Sequence, residues 1–310
     1  MLAFVFPGQG SQSVGMLQSL AVEFPAVKQT FAEASQALGY DLWQIVEQGP
    51  EEKLNQTEIT QPAMLAADVA TWRVWLAQQG PRPQYMAGHS LGEYAALVCA
   101  EAINFNDAVK LVADRGRFMQ QAVPAGQGGM AAILGLDDEA VRKLCQQAAQ
   151  GEILEAVNFN SPGQVVIAGN VAAVMRAVDQ SKAAGAKRAV LLPVSVPSHC
   201  ALMHPAAQRM AERLKLIDIR SPQIPVIHNT HVQAESDPQA IRNALVSQIE
   251  SPVRWVETIQ KISAAGVDRL IECGPGKVLA SLNKRIVKTA ETLPVFDPET
   301  LNTALSIVKN

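Results

Sequence analysis

The chain has 310 residues, 48% of them hydrophobic, and a formal net charge of -3. That balance can fill the core of one large α/β domain or two smaller ones; it excludes a disordered chain and a dedicated nucleic-acid binder. Four scattered cysteines (Cys99, Cys145, Cys200, Cys273) form no C-x-x-C pair and read as reduced, buried side chains of a cytoplasmic protein, and no apolar run approaches the roughly 18 residues of a membrane span.

Residues 2–6 read as a short apolar strand of a buried parallel sheet, not a signal peptide, because no basic segment precedes them and Pro7-Gly8 ends the run. The loop Pro7-Gly8-Gln9-Gly10-Ser11-Gln12 lacks the third glycine of a dinucleotide loop, since Ser13 stands there. It is either a tight turn or backbone laid against a ligand, with Gln9 as a polar contact. Helical patterns cover 24–38 and 42–48, the second closed by Gly49-Pro50. Thr60 is expected to cap a long helix through 79, with Pro62 in its first turn.

A strand over 84–89 runs into Gly88-His89-Ser90-Leu91-Gly92, and a helix-forming run over 93–100 leaves it. Strand, tight G-x-S-x-G turn and helix is the nucleophile-elbow pattern: small residues flank a serine held on a sharp bend, and the helix aims its first N–H groups where an oxyanion would form. A further helix over 105–121 carries Arg115 and Arg117.

From Gly126 to Pro197 the pattern changes. Strands over 130–134, 153–157, 165–168 and 187–194 alternate with helices over 137–150 and 171–184, the latter capped by Asn170, and Asn158-Phe159-Asn160-Ser161-Pro162-Gly163 joins the middle strands. The order β-α-β-β-α-β, entered through Gly126-Gln127-Gly128-Gly129, predicts an inserted subdomain over 126–197 within a larger domain of 1–125 and 198–310. Beyond it come a helix over 201–216 that Ser198 could cap, a strand over 225–228, helices over 238–249 and 253–265, and a strand over 267–273. Gly274-Pro275-Gly276-Lys277 then turns into another helix. It is no phosphate loop, because Ile271 and Val278 occupy two positions that motif requires.

A serine nucleophile needs a base within hydrogen-bond reach. Of five histidines, His89 adjoins Ser90 and reads as a structural hydrogen-bonder, His228 and His231 as surface residues beside Asn229-Thr230, and His204 as part of the next helix. His199 is the preferred base, in Pro193-Val194-Ser195-Val196-Pro197-Ser198-His199, where the insert rejoins the larger domain; its neighbour Cys200 reads as a filler. Arg115 is either a solvated helical arginine or one turned inward to grip a carboxylate with its fork.

Six segments occur in order: Phe6-Pro7-Gly8-Gln9-Gly10-Ser11-Gln12, Gly88-His89-Ser90-Leu91-Gly92-Glu93, Arg115-Gly116, Asn158-Phe159-Asn160-Ser161-Pro162-Gly163-Gln164, Val196-Pro197-Ser198-His199 and Glu272-Cys273-Gly274-Pro275-Gly276. Over nearly the whole chain they closely resemble the malonyl-CoA:acyl-carrier-protein transacylases of bacterial type II fatty-acid synthesis. The resemblance implies an α/β fold: an α/β-hydrolase-like large domain with a parallel sheet, plus an inserted ferredoxin-like subdomain. It also implies an acyltransferase that passes malonyl from coenzyme A to the phosphopantetheine thiol of acyl carrier protein through a malonyl-serine.

In that resemblance Ser90 is the nucleophile and His199 the base, the N–H groups of Gln9 and Leu91 form the oxyanion hole, and Arg115 holds the malonyl carboxylate. Gln248 matches the position whose neighbourhood orients the histidine, where a classical triad would use Asp or Glu, and Asn160 and Gln61 line the pocket. The expected partners are malonyl-CoA and acyl carrier protein, with no nucleic acid and no membrane, for a cytoplasmic monomer. No metal and no cofactor are expected, since coenzyme A arrives as substrate and phosphopantetheine on the partner. Lys187, Arg188, Lys284 and Arg285, with Lys288, are candidate docking cations for an acidic carrier, and solvated surface charge is their alternative. An esterase or thioesterase on a related elbow is the competing enzyme reading; it calls for a triad acid, and no convincing one presents itself.

Overall fold

The computed structural model describes residues 1–194 and 196–309; Ser195, in the approach to His199, and Asn310 lie outside the described residues. Its larger sheet is built from β1 (Leu2–Phe6), β2 (Tyr85–Gly88), β7 (Val226–Ile227), β8 (Arg269–Cys273) and β9 (Glu291–Val295), in the order β7-β2-β1-β8-β9. All four pairings are parallel. Because helices cover both faces of such a sheet, its central strand β1, Leu-Ala-Phe-Val-Phe, is apolar at every position and fully buried. Phe4 packs edge-on against Trp72 and Trp75 at 5.0 and 5.2 Å, tying β1 to the long helix Thr57–Ala77.

The smaller sheet contains β3 (Gly128–Leu134), β4 (Leu154–Ser161), β5 (Gln164–Asn170) and β6 (Arg188–Leu191), in the antiparallel order β4-β5-β3-β6. With the helices Asp138–Ala149 and Val171–Ser181 on one face, this is the ferredoxin-like arrangement. Ile133, Val141, Leu144, Leu154, Phe159 and Val174 form a core of its own under those helices. Backbone bonds from Phe159 N to Val253 O (3.0 Å) and from Val253 N to Val157 O (2.8 Å) join β4 to the chain of the larger sheet. Among the described residues no helix is long and apolar enough to cross a membrane.

Several local expectations need correction. The long helix begins at Thr57, with Gln56 at the N-cap, and Thr60 lies inside it with Oγ1 donating to the carbonyl of Leu54 at 2.6 Å. Pro62 therefore sits in the second turn, where it forfeits one backbone bond; burial of nearly the whole helix outweighs that loss. Asn158 to Ser161 is bulged strand, not loop, and only Pro162-Gly163 turn the hairpin. Asn170 occupies the N-cap position, but its Oδ1 accepts from Ile153 N instead of capping.

Strand β6 is half its expected length, because exposed Pro193 has no N–H to extend the ladder. Ser198 caps nothing: a short 3₁₀ turn, Ala201–Met203, precedes the helix His204–Leu214, which starts where Pro205 can sit without an N–H.

Candidate active site

Strands β1 and β2 end side by side, Phe6 opposite Gly88, and His89 N donates to Phe6 O at 3.0 Å before the chain bends. The bend falls on Ser90, at φ 53°, and the helix Gly92–Cys99 begins two residues later. The flanking glycines are demanded by close approach: a Cβ on Gly88 would stand 1.8 Å from the Gly92 carbonyl carbon, and one on Gly92 would stand 2.1 Å from Phe6 O. A left-handed serine costs roughly 1–3 kcal/mol, so the surroundings must hold it. Asn229 does so: its Oδ1 accepts from Ser90 N (2.8 Å) and its Nδ2 donates to Gly88 O (2.7 Å).

His199 is also left-handed, at φ 66°, and is 2% exposed. Its Nε2 lies 2.7 Å from Ser90 Oγ and its Nδ1 lies 2.7 Å from the backbone carbonyl of Gln248. A carbonyl only accepts, so Nδ1 carries the proton and the Nε2 lone pair faces the Ser90 hydroxyl. Burial first, and the Arg115 cation second, push the His199 pKa down to about 3, which keeps the ring neutral. Among the described residues no acid completes a triad: the Gln248 peptide carbonyl takes that place.

Arg115 is 2% exposed and turned inward. Nη1 donates to Gln61 Oε1 (2.8 Å); Nη2 donates to Gln248 Oε1 (2.9 Å) and Ser90 Oγ (3.2 Å). Its helix, Phe105–Ala122, comes this close to Thr57–Ala77 because Gly116 leaves no side chain there; a Cβ would meet Thr57 O at 2.6 Å. Burial lowers the Arg115 pKa from its usual value, and Tyr94 first, then the Glu93 carboxylate, act against that shift.

The backbone N–H groups of Gln9 and Leu91 have no acceptor among the described residues, and both line the cavity beside Ser90. That cavity measures about 240 Å³; Ser90, His199 and Arg115 stand at one side of it, with Met119, Met130, Val166 and Leu192 among its apolar walls. Asn160 also lines it, and there accepts from His89 Nε2 at 2.8 Å. His89 itself makes no bond to Ser90; burial lowers its pKa. Lys187, Arg188, Lys284 and Arg285 are exposed and none lines the cavity. Lys284 and Arg285 end the helix Val278–Ile286, which supplies Val278, Leu279 and Leu282 to the rim, and Arg285 donates to Gln164 Oε1 at 2.6 Å. Among the described residues no group of His, Cys, Asp and Glu could hold a metal ion.

One layer was not foreseen. His228, expected at the surface, is fully buried, and its Nδ1 lies 2.7 Å from Glu93 Oε1. Glu93 Oε2 accepts from Asn229 N (2.9 Å) and from Gln248 Nε2 (3.0 Å), and the same Nε2 donates to Ser90 O at 2.8 Å. The available signal was His228-Asn229 at the carboxyl end of a parallel strand, where sites of open α/β sheets gather. His231 is half-buried and pairs with Glu235, while exposed His204 pairs with Glu250.

Comparison with known proteins adds the family. The acyl transferase domain matches residues 3–303. The malonyl CoA-acyl carrier protein transacylase of Salmonella typhimurium is 59% identical over 304 residues, 98% of each chain. The crystal structure of an acyl carrier protein S-malonyltransferase from Vibrio cholerae superposes with a TM-score of 0.96 at 61% identity, covering 98% of this chain and 99% of that one. The malonyl-transacylase solved in complex with a type II PKS acyl-carrier protein superposes at 0.98 with 58% identity, over 99% of both chains.

Proposed function

The chain belongs to the malonyl-CoA:acyl-carrier-protein transacylases, acyltransferases of fatty-acid synthesis, and from that premise we propose which residues carry the transfer. Ser90 is the nucleophile and His199 its base; the supporting observation is the 2.7 Å contact between Oγ and an Nε2 whose ring is fixed by the Gln248 carbonyl. The Ser90 proton passes to Nε2 as Oγ attacks the malonyl thioester carbon. The tetrahedral oxyanion rests on the N–H groups of Gln9 and Leu91; losing one such donor costs roughly 10²–10³ in rate. The intermediate collapses, the coenzyme A sulfur leaves with the proton from His199, and malonyl-Ser90 remains. The phosphopantetheine thiol of acyl carrier protein then gives its proton to Nε2, attacks the ester, and departs with the malonyl group as Ser90 recovers its proton.

Arg115 binds the malonyl carboxylate with its fork, beside Gln61 and Gln248, and Asn160 lines the pocket. Burial, and after it the same cation, hold the His199 pKa down. An incoming carboxylate offsets that charge and makes the imidazolium easier to form. A malonyl group therefore improves its own base; an acetyl group does not.

Residues 126–197 act as an inserted unit that walls the cavity, and 1–125 with 198–310 as the catalytic domain. The chain works as a cytoplasmic monomer with no metal and no cofactor of its own. Lys187, Arg188, Lys284 and Arg285 meet the acidic carrier. Intact mass after mixing with malonyl-CoA tests the assignment of Ser90: the wild type gains one malonyl group and Ser90→Ala gains none, whereas labelling of Ser90→Ala rejects it.

A further inference from the structure

Arg115 is 2% exposed, yet among the described residues no carboxylate lies within ion-pair distance of its guanidinium. Its forked nitrogens rest on neutral oxygens, those of Gln61, Gln248 and Ser90. A compensating charge stands one side chain further back. Gln248 accepts from Arg115 on Oε1 and donates through Nε2 to Glu93 Oε2 at 3.0 Å. Glu93 is fully buried in the first turn of the elbow helix, and donors from His228, Asn229 and Gln248 converge on its two oxygens, the setting of an acceptor-only carboxylate.

We propose that Glu93 is the internal counter-anion of Arg115, and that, acting through Gln248 without touching the guanidinium, it limits how strongly the pocket prefers an acidic acyl group. This rests on the reading of Ser90 and Arg115 given above. A carboxylate paired directly with Arg115 would occupy the fork that the substrate needs. With no counter-charge at all, the guanidinium would hold the malonyl carboxylate too firmly for onward transfer. An anion at one remove satisfies both conditions, because it neutralises part of the buried charge while leaving the donors free. Glu93 is thus a positioning residue that sets specificity by charge, and the chemistry at Ser90 does not pass through it.

The site also allows a clean test. Among the described residues His228 Nε2 is buried without a partner, so the ring can move its proton from Nδ1 to Nε2 and accept from an amide at position 93. Glu93→Gln therefore removes the charge and keeps every hydrogen bond. The quantity to measure is the ratio of kcat/KM for malonyl-CoA to that for acetyl-CoA, which does not depend on the fraction of enzyme folded. Across the several ångströms of a low-dielectric site, losing one like charge raises that ratio about tenfold, through a lower KM for malonyl-CoA. Glu93→Asp keeps the charge and stays within about twofold of the wild type.

An unchanged or lowered ratio in Glu93→Gln, or an equal rise in Glu93→Asp, overturns the proposal. If Glu93→Gln does not accumulate as folded protein, Glu93→Gln with His228→Asn takes its place with the same expected rise. Loss of all transfer in both also overturns it. A wild-type protein that gains no malonyl group at Ser90 fails the underlying reading instead, whereas a malonylated wild type with an unmoved ratio fails this proposal alone.

Discussion

The imidazole of His199 is oriented by the backbone carbonyl of Gln248, 2.7 Å from Nδ1, and not by a side-chain acid. A peptide oxygen fixes the tautomer as an aspartate would, but it brings no full charge to stabilise the imidazolium. It also survives any substitution at its own residue. Gln248→Ala keeps the carbonyl and removes the amide that supports Arg115 and Ser90 O. The expected loss in kcat/KM is about 10²-fold or less, far short of the ~10⁴ that follows from changing a triad acid. Steady-state kinetics with malonyl-CoA and carrier protein measure it.

Arg115 acts on both substrate and base. Burial and the Arg115 cation push the His199 pKa down to about 3, so kcat/KM should carry no imidazole limb near 6.5 in the free enzyme. Arg115→Met removes a cation that depresses the ring, so the His199 pKa rises and an acid limb moves up toward neutral pH. The same variant loses malonyl transfer by several kcal/mol, the usual consequence of unpairing a buried charge, and loses acetyl transfer far less. Equal losses for both esters would rule out the carboxylate role, and pH profiles with acetyl-CoA show the limb.

Asp68 is a liability in the large core. It is fully buried, neither carboxyl oxygen has a partner among the described residues, and burial, aided by the Glu272 charge, raises its pKa well above the usual value. Burial also raises Glu272 to about 7, although the N–H groups of Leu279 and Ala280 bind its oxygens. Both folded-state values exceed the unfolded ones, so the folded protein holds the extra protons. The stability this confers is complete below about pH 4 and is lost as pH rises through 7 and beyond. Asp68→Ala is therefore expected to be near neutral at pH 5 and stabilising at pH 8 by ~1–3 kcal/mol, or about 2–6 °C in Tm. Thermal melts at the two pH values check the sign.

The carrier is expected to dock on exposed cations, so its KM should rise with ionic strength while that of malonyl-CoA changes less. Replacing Lys284 and Arg285 together by alanine should raise carrier KM about tenfold at low salt and flatten the salt dependence. A carrier KM indifferent to salt would place docking elsewhere.

What the sequence disclosed follows the range of the interactions. The elbow is local, and its glycines and serine are all written within five residues. Arg115 stays open between a solvated and an inward arginine until the family resemblance assigns it to the carboxylate; the unread local signal is Gly116, where a Cβ would meet Thr57 O at 2.6 Å. Gln248 orients His199 through a main-chain atom that no side chain encodes. The buried group of Glu93, His228 and Asn229 depends on β7 lying next to β2, a neighbourhood set by the sheet order and separated by about 135 residues in the chain. Strand β9 and the helix Pro298–Lys309 were not read at all, since Pro294 interrupts the strand signal and is tolerated only because β9 is an edge.

The central claim is that malonyl waits on Ser90 and leaves to a thiol in preference to water. Malonyl-labelled enzyme, freed of coenzyme A and chased with holo acyl carrier protein, should pass its label to the carrier thiol much faster than it releases malonate. Label that stays on the protein in the presence of carrier, or that appears as free malonate at the same rate with and without it, would contradict the claim.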